Sequence, residues 1–134
     1  VILHGARHGL ELDELFEHAD FGIGSLGRHR SGITHIKTLK NREYAARGLA
    51  FAYSETDEDF DDKAYVMKIP ADETAVDIDG IVAFCRSLPM TGREIRDSIG
   101  NLSWKCQMQK VLCEVVPCTK TPALPVPPQN IRKI

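Results

Sequence analysis

The chain has 134 residues, of which 43% are apolar and 27% charged, the balance of a folded globular domain and not of a disordered segment. Its 17 basic and 19 acidic residues leave a formal charge of −2, so no global basic field marks nucleic acid as a partner. No apolar run reaches the roughly 18 residues of a membrane span and no basic-then-apolar leader opens the chain, so a cytoplasmic protein without a transmembrane segment is expected.

In chain order, Val1 to His4 reads as a short buried strand stopped at Gly5. Leu12, Leu15, Phe16 and Ala19 then recur at helical spacing and predict an amphipathic helix over residues 10–19. Phe21 to Leu26 predicts a second strand that runs into a polar loop, Gly27-Arg28-His29-Arg30-Ser31-Gly32, where a backbone can approach a ligand. A helix over residues 37–47 ends on Arg47 and Gly48, the charge and the glycine expected at a helix carboxyl terminus.

Leu49 to Tyr53 and Tyr65 to Ile69 predict the third and fourth strands, separated by an acidic, solvated loop and followed by Pro70. Asp77 is placed to cap a helix whose Ile78, Ile81, Val82, Cys85 and Leu88 share one face. A short helix over residues 93–99 follows, and Asn101 is the expected cap of a longer one bearing Trp104, Met108, Val111, Leu112 and Val115. Residues 117–134, with Pro117, Pro122, Pro125, Pro127 and Pro128, predict an extended tail beyond a domain at 1–116. Strands alternating with helices imply a Rossmann-like α/β domain with a parallel sheet of about four strands, whose ligand crevice lies past the strands' carboxyl ends. Cys85, Cys106, Cys113 and Cys118 lack CxxC spacing and read as reduced, partly buried thiols.

The stretch Leu39-Lys40-Asn41-Arg42-Glu43-Tyr44 sets Lys40 and Glu43 one turn apart on a helix that follows the Gly-containing loop. A helix amino terminus suits a diphosphate, and a carboxylate further along suits the two hydroxyls of a ribose. The plainer alternative is that Glu43 pairs with Lys40 or Arg47 on a solvated face and that Arg28, His29 and Arg30 are ordinary surface. Asp57, Asp59 and Asp61 mimic the opening of a calcium loop, but Asp62 stands where such a loop needs Gly, and Lys68 where it needs Glu. No metal and no cofactor are expected.

Gly22 to Ile33, Leu39 to Tyr44 and Ala46 to Leu49 together resemble the donor-site region of bacterial two-Rossmann-domain (GT-B) glycosyltransferases, in the family that includes sucrose and glycogen synthase relatives. The resemblance implies a carboxyl-terminal domain that binds a nucleoside-diphosphate sugar, in an enzyme moving a hexose to a glycan or lipid-linked acceptor. It places Glu43 on the donor ribose, and Lys40, Arg28, Arg30, Ser25 and the backbone of Thr38 and Leu39 around the diphosphate. His35 stands where the family often has a second glutamate, eight residues before Glu43, and Ala50 replaces a usual proline.

In that family the domain has six strands in the order 3-2-1-4-5-6. The Val1 strand would match the third, so the resemblance implies missing amino-terminal material, no activity from this piece alone, and an exposed sheet edge open to self-association. It also implies peripheral association with the inner membrane face. A non-catalytic nucleotide-binding or protein-interaction module of the same fold is the alternative.

Overall fold

A computed structural model describes residues 1–115. They fall into two compact units, residues 1–102 and a second that begins at Ser103. The expected Pro-rich tail and Cys118 lie outside the described residues.

The first unit is α/β. Three strands, β1 (Phe21–Ile23), β2 (Ala50–Tyr53) and β3 (Val66–Lys68), form one parallel sheet in the order β1-β2-β3. Phe21 pairs with Ala50, and Phe51 with Val66. All four residues of β2 are buried, as expected for the central strand of a covered parallel sheet. Its Phe51 packs against Tyr53, Phe60, Tyr65 and Tyr44, with ring centroids between 5.4 and 6.1 Å apart.

The helices follow from local chemistry. In α1 (Leu10–Glu17) the apolar stripe is the one read from the sequence, and Gly9 precedes it with φ of 59°. Helix α2 (Leu39–Arg47) starts where the Thr38 side chain accepts the Asn41 N–H, and ends at Gly48 in the left-handed region. Asp77 caps α3 (Ile78–Ser87) as expected, and Thr91 with Glu94 closes a capping box on α4 (Gly92–Asp97). In the second unit, α5 (Trp104–Val115) begins with the Ser103 hydroxyl accepting the Cys106 N–H. Ser103 therefore takes the capping role assigned to Asn101.

Two close approaches fix how α2 sits. The Tyr44 ring lies on Gly22, where an added Cβ would fall 2.7 Å from it, and the Tyr44 hydroxyl donates to the Ile23 carbonyl at 2.8 Å. At its other end Gly48 meets the backbone of Gly92, with a hypothetical Cβ 2.4 Å from the Gly92 oxygen.

Of the four expected strands, the first is absent among the described residues. Val1 to His4 forms no ladder, and Ile2 and Leu3 are 80% and 91% exposed. Apolar character alone does not make a strand; paired backbone and a covered face do, and this segment has neither. Among the described residues the outer edge of β1 carries no strand. The acidic loop between β2 and β3 also differs from a purely solvated one: Phe60 and Asp57 are buried, and Phe60 anchors the turn under Phe51. Among the described residues no helix is long and apolar enough to cross a membrane.

Candidate functional site

At the carboxyl end of the sheet three loops meet. The one after β1 passes through Gly24 and Ser25 into a 3-10 turn at Arg28–Ser31 that Gly32 closes with φ of 67°. It is tied down at its start, because Gly24 N–H donates to the Ala52 carbonyl at 2.7 Å and Ser54 N–H donates to that of Ser25 at 3.1 Å. The loop after β2 adds a bridge between His35 and Thr56, with Ile36 N–H donating to the Thr56 carbonyl at 3.0 Å. The loop after β3 carries Pro70 to Val76 past the first.

Between the first and third loops lies a cavity of about 340 Å³, lined by Leu26, Gly27, His29, Arg30, Ile69, Pro70 and the 72–76 segment. Arg30 forks onto the Glu73 carboxylate, with Nε to Oε1 at 2.8 Å and Nη2 to Oε2, and His29 Nε2 faces Oε1 at 3.1 Å. A carboxylate can only accept, so Nε2 carries the ring proton. The hydrogen bonds of Arg30 and then His29 hold the Glu73 carboxyl at about 2, well below its ordinary 4.5.

Arg28 is oriented differently. Its Nε donates to Ser25 Oγ at 3.1 Å and stands 3.9 Å from the Glu55 carboxylate, whose side chain is only 1% exposed. That separation is an ion pair but too long for a hydrogen bond, and Glu55 Oε1 has no hydrogen-bond partner; Oε2 accepts from Ser54 Oγ. A buried carboxylate so sparsely bonded relies on the Arg28 charge and keeps the guanidinium at this end of the sheet.

Beneath these loops Asn41, fully buried on α2, donates from Nδ2 to Asp57 Oδ2 at 3.1 Å, while its own Oδ1 is unpartnered. Asp61 accepts from Lys68 at 2.8 Å and from the Tyr53 hydroxyl, and Asp59 pairs with Arg42 and Lys37. Burial, then the Asp61 carboxylate, pushes the Tyr53 hydroxyl well up, so it stays protonated and donates. The three aspartates of the calcium-like stretch are each spent on protein partners, and no group of metal ligands occurs among the described residues.

The residues expected at a donor site thus divide in two. Ser25, Arg28 and Arg30 gather at the carboxyl end of the sheet, and Thr38 stands nearby as the cap of α2. Leu39, Lys40 and His35 are exposed, and His35 Nδ1 meets only the Thr34 hydroxyl among the described polar groups. Glu43 lies one turn along the same helix with its carboxylate on Arg47 at 3.2 Å. Arg47 also reaches Asp13 at 2.7 Å and covers the Phe16 ring at 4.0 Å, so it bridges α2 to α1. No hydrogen bond or ion pair joins the Glu43 group to the Arg28 and Arg30 group among the described residues. The plain helix pairing of Glu43 with Arg47 is what the chain adopts.

Reasoning from sequence missed Glu55, Asn41 and Glu73. Glu55 gave one available signal, an acid directly after a buried strand; Glu73, 43 residues from Arg30, gave none. Comparison of the chain with protein-family models, with curated proteins and with solved structures found no match to any of them.

Proposed function

We propose that this chain is the donor-binding part of a glycosyltransferase, holding a nucleoside-diphosphate sugar at the carboxyl end of its parallel sheet for hexose transfer to a glycan or lipid-linked acceptor. The observation that carries the reading is the cavity of about 340 Å³ flanked by His29 and Arg30, with Arg28 held close by over Ser25. Ligands of open α/β sheets lie at this end, and guanidinium groups are suited to phosphate oxygens.

In this reading the Arg28 and Arg30 loop neutralises the diphosphate, and positive charge there stabilises the leaving nucleoside diphosphate. Glu43 supplies the ribose acceptor, exchanging its half-exposed contact with Arg47 for two hydroxyls. An exposed helical pair of this kind is worth only about 0.3–0.5 kcal/mol, so the exchange costs little. The chain supplies part of a site, and turnover by the 134 residues alone is expected to be undetectable.

Titration with UDP- and GDP-sugars, comparing wild type with Glu43→Ala, tests this. A loss of roughly tenfold or more in affinity is expected for Glu43→Ala, about the contribution of a hydrogen bond to a charged group. Affinity equal in both proteins would remove Glu43 from the site.

A further inference from the structure

We infer that Glu73 is a built-in occupant of an anion site made by Arg30 and His29, and that a diphosphate displaces it. This rests on the donor-site reading above and adds a mode of control to it.

The geometry is that of a bound anion. One carboxylate receives the Nε–H and Nη2–H of one edge of the Arg30 guanidinium and the His29 Nε2–H, three donors converging from a turn 43 and 44 residues away in sequence. The planar fork of an arginine matches phosphate as well as carboxylate, so groups that hold Glu73 hold a phosphate oxygen pair with no rearrangement of their own. His29 is mostly covered, its side chain 18% exposed, and its Nδ1 is buried without a partner, so the ring has a fixed direction of donation.

The carboxylate itself is not structural. Glu73 is 67% exposed and Arg30 69%, and the apolar residues beside Glu73 on its loop, Pro70, Ala71 and Ala75, are exposed too. Exposed ion pairs of this sort contribute little to folding, so the loop can release Glu73 at small cost. Beside the pair lies the cavity at the strands' carboxyl ends, which gives the incoming group somewhere to sit.

The consequence is selectivity by charge. A carboxylate tethered on a short loop competes at an effective concentration on the order of millimolar. A singly charged anion gains no more from Arg30 and His29 than Glu73 does and is turned away. A diphosphate carries more charge and more acceptor oxygens, so it wins and frees the segment 72–76 to close on the ligand or to open the cavity.

The test uses the 134-residue chain, inorganic pyrophosphate and UDP, with affinities from calorimetry and the backbone signals of residues 70–76 followed by NMR. Glu73→Gln and Glu73→Ala are expected to bind pyrophosphate roughly three- to tenfold more tightly than wild type, the gain from removing a surface competitor. Arg30→Ala is expected to lose at least roughly tenfold, and pyrophosphate should shift the signals of residues 72–76 in wild type. If both Glu73 variants bind pyrophosphate no better than wild type while Arg30→Ala weakens it, Glu73 is a plain loop staple; the inference fails and the donor site stands. If UDP binds in a Glu43-dependent way but Arg30→Ala leaves pyrophosphate unaffected, the inference fails together with the place given to Arg30 on the diphosphate, while Glu43 keeps its role. If neither UDP nor pyrophosphate binds any of the proteins, both readings fall together.

Discussion

Replacing Gly48 by Ala is expected to cost the protein more than any other single methyl addition to its glycines. Gly48 has φ of 78°, where an L-residue is disfavoured by about 1–2 kcal/mol. The added Cβ would also stand 2.4 Å from the Gly92 carbonyl oxygen and 2.8 Å from its carbon. Both are backbone atoms, so no side chain can rotate away, and α2 and α4 must part; overpacking of this kind costs about 1–3 kcal/mol. Lower entropy of the unfolded chain returns about 0.4–1 kcal/mol. The net loss is about 1–4.5 kcal/mol, which at about 2 kcal/mol per molar urea lowers the unfolding midpoint by about 0.5–2 M. Urea unfolding followed by circular dichroism reads it. Gly27→Ala is the control, since nothing lies within 4 Å of its Cβ position and its φ is negative. A Gly48→Ala midpoint equal to that of Gly27→Ala would refute the close approach of the two helices.

Gly22→Ala should also destabilise, by about 1–3 kcal/mol, because the Tyr44 ring 2.7 Å from the new methyl is itself pinned by Phe16 and Phe51; an unchanged urea midpoint would contradict that packing. Asn41→Ala strips the buried Asp57 carboxylate of a donor and should cost about 1.5–3 kcal/mol by the same assay, whereas a loss under about 0.5 kcal/mol would mean that Asp57 is satisfied elsewhere. Carboxyl-detected NMR should find Glu73 titrating below its ordinary 4.5. Because the folded value is the lower one, the pair's contribution is complete above about 4.5 and disappears as pH falls toward 2; a midpoint at 4.5 or above would contradict the Arg30 and His29 contacts.

Much of this fold is legible in the residues because its signals are local. Gly48 and Asp77 act as helix ends through their own backbone or side chain, so reading them requires only neighbours within four positions, whereas the cap at Thr38 lies one residue inside the helix expected from residue 37. The apolar stripe of α1 and the alternation of strands and helices are of the same kind. The errors share a different cause. Val1 to Leu3 has the composition of a buried strand, but pairing is a property of two segments, and among the described residues this one pairs with none.

Asn41 sits one residue from Lys40 in the same polar stretch, yet helical rotation turns it under the sheet where Asp57 is waiting. Phe60 looks like an isolated apolar residue in an acidic run and proves to be the anchor that folds the run inward. For the candidate site, the basic loop was visible but its acid partners were not. Glu55 and Glu73 reach Arg28 and Arg30 only through the folding of three separate loops. The alternatives for Glu43 were both visible, and spacing alone could favour neither contact with Arg47 nor contact with a ribose.

The central claim is that a nucleoside diphosphate sits across the carboxyl ends of the three strands, and mapping UDP onto the backbone amides by NMR tests it most directly. The account predicts saturable shifts at Gly24 to Arg30, at residues 70–76 and along the first turns of α2, weakened by Arg30→Ala and by Glu43→Ala. Shifts confined to other surfaces, or none at millimolar UDP, would contradict it.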